Sequence, residues 1–259
     1  IVQPMAALSF PDLPICPILP KLGLTLAHNP SAILCAPPGS GKITLVPLAL
    51  ACEPWLDGQK ILMLEPRRLA TRASASRMAE LLGCELGGEV GYQVRFDNKT
   101  GEETKIEVIT EGILTRRLQQ DPSLSGIGLV IFDEFHERSL HADLGLALCL
   151  DLLELRDDLR ILVMSATLEA EKLSRLMDNA PILSVSTHNY PVGIHYEQRE
   201  PKGRTGESMA GKILQLVQAE QGDILAFLPG SGEIRAAESI LRKNLAKEIE
   251  LLPLYGNLA

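Results

Sequence analysis

The strongest constraint on the fold is a glycine-rich segment, APPGSGK, at positions 36–42. It follows an apolar run that reads as a strand, and it opens a helical pattern. In this context the glycines let backbone N–H groups close around phosphates, and the helix N-terminus adds positive potential. Lys42 would reach the β- and γ-phosphates. An ordinary Gly/Pro turn before a helix is the alternative. The segment predicts a phosphate-binding loop between a strand and a helix.

Apolar strand patterns alternate with helical patterns along most of the chain. The predicted strands are 32–36, 60–64, 107–110, 129–132 and 160–164, and the predicted helices are 42–52, 68–82, 111–120, 142–153 and 170–177. These strands carry few polar residues, as strands covered on both faces require. The alternation predicts an α/β fold with a parallel sheet flanked by helices.

The pattern breaks near residues 184–191 and then restarts. Helices are predicted at 206–220 and 233–245, and strands at 223–228 and 249–252. We therefore predict two domains, residues 1–184 and residues 185–259. Because the chain starts at Ile1 and stops just after a strand-like run, we expect the second domain to be incomplete.

Composition limits the classes of function. The 259 residues carry a formal net charge of −8, so any nucleic-acid contact must come from a local basic face. Five cysteines, an odd number without a C-x-x-C pair, indicate reduced thiols and not a disulfide framework or a zinc site. No signal peptide or membrane-spanning run is evident. We expect a soluble, cytoplasmic protein with no membrane partner.

A second motif, LVIFDEFH at positions 129–136, is an apolar strand that ends in two carboxylates. After a phosphate loop, this arrangement suggests that Asp133 holds Mg²⁺ and that Glu134 orients and deprotonates the attacking water. An acidic helix start is the alternative, since Asp and Glu favour the first helical turn. His136 and His141 are five residues apart, which does not fit a zinc-binding helix.

The residue after the loop lysine departs from the phosphate-loop pattern. The pattern has Ser or Thr there, whose hydroxyl binds Mg²⁺, and this chain has Ile43. Thr44 follows, but neighbouring helical residues point about 100° apart, so its hydroxyl is expected to face elsewhere. We expect phosphate binding to survive and Mg²⁺ positioning to suffer. The nucleotide-binding candidates in this loop are Pro38, Gly39, Ser40, Gly41, Lys42, Ile43 and Thr44.

Further segments carry a family resemblance. ERSLHAD follows DEFH directly, and the chain also has EPRR at 65–68, TEG at 110–112, SAT at 165–167 and FLPG at 227–230. In this order they resemble motifs II, Ia, Ib, III and IV of the DEAH/RHA group of superfamily-two helicases. The spellings DEFH, LEPRRLA and PLYG most resemble the bacterial HrpB-type helicases. The resemblance implies RecA-like lobes, ATP and Mg²⁺ as cofactors, and hydrolysis coupled to movement along a nucleic-acid strand.

The same resemblance implies a nucleic-acid site. Arg67 and Arg68 would contact the backbone of a single strand, RNA more than DNA, and Thr110, Glu111 and Gly112 would add contacts. Residues 60–80 hold five basic and two acidic side chains, a local excess of three positive charges on an acidic chain. Such binding would be salt-sensitive and largely independent of base sequence. Thr110 could equally be an ordinary helix N-cap.

Other roles come from the resemblance alone. Arg77 would stack on adenine through a cation–π contact. His136, Ser165 and Thr167 would couple the nucleotide state to lobe movement, although the last two could be plain caps. No role is assigned to the run GYQVRF at 91–96, which also matches the group.

Two hypotheses remain for function. The chain is the N-terminal portion of a DEAH-type RNA or DNA helicase, or it is a degenerate nucleotide- and nucleic-acid-binding protein without useful turnover. Ile43 and the short second domain favour the second. A phosphate-loop ATPase unrelated to nucleic acid is disfavoured by Arg67, Arg68 and the ERSLHAD run. The sequence does not indicate which proteins the chain would bind.

Overall fold

The structure is a computed structural model that describes residues 11–166, 170–186, 191–196, 203–219 and 221–255. By its internal contacts the chain divides into two compact units, Ile1–Asn189 and Tyr190–Ala259. The assignment of domains 1–184 and 185–259 to two RecA-like lobes stays a prediction. None of the described helices is long and apolar enough to cross a membrane.

A sheet of eight strands organises the described part of the first unit. The strands are β1 (Ser31–Cys35), β2 (Lys60–Glu65), β3 (Val90–Val94), β4 (Asp97–Lys99), β5 (Ile106–Thr110), β6 (Ile127–Phe132), β7 (Arg160–Ser165) and β8 (Ile182–Ser184). Their spatial order is β4-β3-β5-β2-β6-β7-β1-β8, and only the β3–β4 pair is antiparallel. The carboxyl ends of the parallel strands therefore lie along one edge, which we call the carboxyl edge.

Helices cover both faces of this sheet. They are α1 (Leu19–His28), α2 (Lys42–Leu50), α3 (Arg68–Leu82), α4 (Glu111–Gln120), α5 (Leu140–Leu153) and α6 (Ala170–Leu176). Successive strand residues face opposite layers. Thus Ile61 and Met63 of β2 pack with α1 to α3, whereas Leu62 and Leu64 pack with α4 to α6. This α/β architecture with a mostly parallel sheet confirms the predicted fold class.

The five strands and five helices predicted for the first unit are all present, with ends shifted by at most two residues. Helix α5 starts earlier than predicted because the Ser139 hydroxyl caps it, accepting a hydrogen bond from the Ala142 N–H at 3.0 Å. Helix α1 and strands β3, β4 and β8 were not predicted. Gly23 lowers the helix propensity of α1, and β4 and β8 have only three residues each.

The second unit contains helices α7 (Thr205–Ala219) and α8 (Ser231–Asn244), which confirms both predicted helices. They pack closely, since a Cβ at Gly206 would lie 2.6 Å from the Glu233 carbonyl oxygen. The predicted strands 223–228 and 249–252 are wrong. Both segments lack strand pairing within the described residues, and Phe227 and Leu252 are exposed. A strand needs a neighbour to complete its hydrogen bonds, and apolar composition alone does not supply one.

Candidate nucleotide and nucleic-acid site

The predicted functional segments of the first unit lie at the carboxyl edge. The phosphate loop follows β1, EPRR spans the end of β2, TEG starts at the end of β5, and the Asp-Glu pair follows β6. Ser165 ends β7, whereas Thr167 lies outside the described residues. Parallel α/β sheets bind ligands at this edge, because the loops that leave neighbouring strands meet there.

The phosphate loop has the backbone shape that its glycines allow. Gly39 and Gly41 adopt left-handed φ values of +75° and +91°, and α2 begins at Lys42 directly afterwards. A Cβ at Gly41 would lie 2.6 Å from the Leu13 Cδ1 atom. The Ile15 N–H donates to the Ser40 carbonyl oxygen at 3.0 Å. The segment before α1 therefore supports the loop from behind.

Lys42 joins the phosphate loop to the residues that follow β6. Its side chain is almost fully buried, and its Nζ donates to the Glu134 Oε1 atom at 2.8 Å. Glu134 has a left-handed φ of +48°, an uncommon conformation for a residue with a Cβ. Such backbone strain clusters at functional sites, where the surrounding structure enforces it. The two predicted catalytic groups are thus in direct contact.

Asp133 lies beside a second buried carboxylate, Glu65. The Asp133 N–H donates to the Leu64 carbonyl oxygen at 3.1 Å, which places the ends of β2 and β6 side by side. Burial raises the pKa of Glu65 to about 8 and that of Asp133 to about 7. Repulsion contributes to these raised values, from Asp133 and Glu134 at Glu65 and from Glu134 at Asp133, and Lys42 opposes it. The sequence alone gave no indication of a role for Glu65.

Asp133, after β6, offers oxygen ligands for Mg²⁺, whereas the start of α2 offers none. Both carboxylate oxygens of Asp133 are buried without a hydrogen-bond partner in the structure, and such hard oxygens are what Mg²⁺ prefers. Ile43 is half-buried against the apolar cluster under α1 to α3 and has no oxygen. The Thr44 hydroxyl is directed at the Gly41 carbonyl oxygen, 3.4 Å away, within its own helix. In the described residues no three His, Cys, Asp or Glu side chains are grouped to hold a metal.

Arg67 and Arg68 lie where β2 passes into α3. The Arg67 guanidinium donates to the Glu137 Oε1 atom at 2.8 Å, and its side chain is 72% exposed. Arg68 donates to the Arg95 carbonyl oxygen at 3.1 Å, which ties the start of α3 to the end of β3. Both guanidinium groups are therefore held at the carboxyl edge and remain open to solvent.

Arg72 and Arg77 lie further along α3. Arg72 pairs with Asp97 of β4 at 2.7 Å, and Arg77 pairs with Glu80 of its own helix at 2.6 Å. At a rise of 1.5 Å per residue, Arg77 lies about 14 Å along the helix from Arg68. Its predicted contact with adenine stays a prediction.

The TEG segment begins α4. Thr110 occupies the N-cap position but makes no side-chain capping bond, so its hydroxyl is not used as a cap. Glu111 accepts a hydrogen bond from the Ser139 hydroxyl, and Gly112 is exposed. Together with the Arg67–Glu137 pair, this bond connects both predicted nucleic-acid segments to residues 137–139.

His136 lies between the Asp-Glu pair and the end of β7. Its Nδ1 atom is 3.4 Å from the Ala166 N–H donor and 3.3 Å from the Glu134 Oε2 atom. The Ser165 carbonyl oxygen in turn accepts a hydrogen bond from the Ala36 N–H at 3.0 Å. The predicted coupling residues His136 and Ser165 therefore form a connection between Glu134 and the phosphate loop.

The structure assigns a position to the run 91–96. Gln93 of β3 accepts from Arg117 of α4 at 2.6 Å, and Arg117 also makes a two-pronged pair with the buried Glu107 of β5. Phe96, at the turn after β3, is 90% exposed with the Arg95 guanidinium 4.8 Å from its ring centroid. In the sequence, this exposed contact was indicated only by Arg95 standing next to Phe96 in a polar turn.

The known proteins that this chain resembles are all named as helicases in the matches below. Residues 22–176 match the DEAD/DEAH box helicase family. The chain is 46% identical to the ATP-dependent RNA helicase HrpB of Escherichia coli over 96% of this chain and 31% of the relative. It is 37% identical to the ATP-dependent RNA helicase HrpA of Borreliella burgdorferi, over 95% of this chain and 30% of the relative.

A solved structure agrees with these sequence matches. The crystal structure of the Escherichia coli DEAH/RHA helicase HrpB matches with a TM-score of 0.90 at 45% identity, covering 96% of this chain and 32% of that one. The chain thus spans about a third of the length of these relatives. The predicted resemblance to HrpB-type helicases is confirmed, and the chain belongs to the DEAD/DEAH box helicase family.

Proposed function

We propose that this chain carries the ATP-binding portion of a DEAH-type, ATP-dependent RNA helicase, with residues 185–259 as the start of its second lobe. The buried contact between Lys42 and Glu134 carries this proposal. It brings the phosphate loop and the Asp-Glu pair together at the edge that also holds Arg67 and Arg68. The matched relatives are named as ATP-dependent RNA helicases.

The phosphates of ATP would bind in the loop 38–42. The left-handed φ values of Gly39 and Gly41 would let backbone N–H groups of the loop turn towards the phosphates, and the start of α2 adds positive potential. Lys42 would leave Glu134 and neutralise the β- and γ-phosphates. The polyphosphate therefore competes with Glu134 for one ammonium group, so that nucleotide binding itself releases the catalytic carboxylate.

Glu134, once released, would orient a water molecule and accept its proton during attack on the γ-phosphorus. Asp133 would hold Mg²⁺, which when bound would neutralise charge on the β- and γ-phosphate oxygens. His136 lies between Glu134 and Ala166 at the end of β7, and its Nδ1 atom would either donate to Glu134 or accept from the Ala166 N–H.

Single-stranded RNA would lie along the carboxyl edge. Arg67 and Arg68 would bind its phosphates, and the Thr110 hydroxyl with the exposed backbone at Gly112 would add contacts. Glu137 and Ser139, which contact Arg67 and Glu111, follow Glu134 closely in the chain. RNA that engages Arg67 would therefore act on the segment that positions the catalytic carboxylate.

A second candidate function is favoured by Ile43. The chain would bind nucleotide and RNA but turn over slowly, because neither Ile43 nor Thr44 presents a hydroxyl to Mg²⁺. The two candidates differ in turnover and agree on binding.

ATPase assays with and without single-stranded RNA separate the candidates. The variants are Ile43→Thr, which adds the hydroxyl, and Ile43→Val, which has the shape of threonine without it. We expect RNA-stimulated turnover at least about tenfold faster for Ile43→Thr than for the parent chain or Ile43→Val, a difference of about 1.4 kcal/mol in barrier height. Equal RNA-stimulated rates in all three would refute the importance of Ile43. Nucleotide binding without turnover in the parent chain would support the second candidate.

A further inference from the structure

Two carboxylates lie at the ends of neighbouring strands on the same face of the sheet. Leu64 of β2 pairs with Phe132 of β6, so the next residues along, Glu65 and Asp133, are adjacent. Ile61 and Met63 share the face of Glu65, and Leu129 and Ile131 share that of Asp133, because strand side chains alternate with a period of two. All four belong to the cluster under α1 to α3, the helices that flank the phosphate loop.

Both carboxylates of this pair are buried. Glu65 is 1% exposed and Asp133 is 3% exposed. The Glu65 Oε1 atom and both Asp133 oxygens lack any hydrogen-bond partner in the structure. Lys42, the nearby ammonium group, donates to Glu134 instead. Buried carboxylate oxygens are normally hydrogen-bonded or bound to a cation, so these three atoms are available to a cation.

A divalent cation matches this pair chemically. Mg²⁺ is bound through one or two carboxylates, substrate phosphates and retained water molecules. The usual hydroxyl ligand is replaced here by Ile43, so the site has one protein oxygen fewer on the helix side. Glu65, at the end of β2, offers a carboxylate oxygen.

We propose that Glu65 is a second carboxylate of the divalent-cation site, beside Asp133, and that it supplies an oxygen in place of the hydroxyl that Ile43 lacks. The inference rests on the proposed nucleotide site. It adds Glu65 to that site, from the same EPRR run whose arginines, Arg67 and Arg68, are proposed to bind RNA.

Binding of a fluorescent ADP analogue, with Mn²⁺ as the metal probe, tests this inference without any turnover. The dissociation constant is measured in EDTA and in Mn²⁺, and the ratio of the two values reports the metal's contribution. Glu65→Gln keeps the shape of the side chain and removes the charge. Glu53→Gln is the matched control, because Glu53 is a partly buried carboxylate outside the site whose pKa is also raised by burial.

We expect Glu65→Gln to lower the Mn²⁺-dependent gain in affinity, taken as the ratio of the two dissociation constants, by about tenfold or more. Glu53→Gln should retain the gain. Adding Ile43→Thr to Glu65→Gln should return the gain towards the parent value. Glu65→Asp keeps the carboxylate on a shorter side chain, so its Mn²⁺-dependent gain should lie between those of the parent chain and Glu65→Gln. If Glu65→Gln does not fold, Glu65→Asp is the variant to compare with the parent chain.

An unchanged gain in Glu65→Gln would overturn the inference and leave Glu65 as a partner that shares a proton with Asp133. No recovery in the Ile43→Thr double variant would overturn the claim that Glu65 replaces the missing hydroxyl. Failure of the parent chain to bind the analogue, even in EDTA, would instead refute the proposed nucleotide site.

Discussion

The pairing of Arg67 with Glu137 predicts that an acidic residue of the chain competes with RNA for one guanidinium group. The two side chains are 2.8 Å apart and are 72% and 37% exposed. A phosphate of bound RNA would need the same guanidinium, so the ion pair has to break first. Glu137→Gln removes the competing charge and keeps the side-chain length, and RNA should therefore bind more tightly.

The exposure of the pair sets the size of this effect. Solvent-exposed ion pairs contribute about 0.2–1 kcal/mol, because water and salt screen the charges. Converted to affinity, this range predicts RNA binding that is about 1.4-fold to fivefold tighter in Glu137→Gln. The gain should shrink as salt rises, since both the ion pair and the phosphate contact are screened.

Fluorescence anisotropy with a labelled single-stranded RNA of about 12 nucleotides measures the change at low salt. Asp143→Asn is the matched control, because Asp143 forms a similarly exposed pair with Arg138 at 3.1 Å in the same segment. It removes one negative charge without freeing Arg67. In an Arg67→Ala background, Glu137→Gln should have no effect beyond that of Asp143→Asn. An equal gain in both variants, or a gain that persists without Arg67, would refute the competition.

Three further predictions concern the supports of the site. Gly41→Ala should cost about 1–3 kcal/mol of unfolding free energy, because φ is +91° there, whereas Gly211→Ala in α7 meets no atom within 4 Å and should not destabilise; equal urea midpoints would contradict this. The raised pKa values of Glu65 and Asp133 mean that the folded state binds more protons than the unfolded state. Stability in EDTA should thus fall as pH rises from about 4 through the folded pKa values, and Glu65→Gln should flatten the fall; an unchanged slope would count against the pair. Arg117→Ala should cost about 3 kcal/mol of unfolding free energy, because it leaves the buried Glu107 carboxylate of β5 without its ion-pair partner. A loss below about 1 kcal/mol in a denaturant titration would argue against a stabilising Arg117–Glu107 pair.

Local patterns were enough to predict most of the first unit. β6 is apolar throughout, β1 is apolar apart from Ser31, and the structure buries both at every position, so their runs were visible without knowledge of their neighbours. The motifs likewise placed Lys42 at the start of the helix after β1 and Asp133 directly after β6. The predicted strands of the second unit failed because pairing depends on what lies alongside, and the residues of the segment do not encode it.

Contacts between distant segments were beyond the reach of the sequence. The proximity of Glu65 to Asp133 follows from β2 lying next to β6, although β3, β4 and β5 come between them in the chain. The contacts of residues 137–139 with Arg67 and Glu111 likewise depend on the order of the strands. Strand order is a property of the folded sheet, so only the structure could supply these relations.

The most direct test of the account is equilibrium binding of a fluorescent ADP analogue to the parent chain and to Lys42→Ala. The central claim is that the loop 38–42 binds the phosphates of a nucleotide and that Lys42 supplies the neutralising charge. We expect the parent chain to bind and Lys42→Ala to lose at least about tenfold in affinity, or about 1.4 kcal/mol. Equal affinity in the two proteins, or no binding by the parent chain, would contradict the claim.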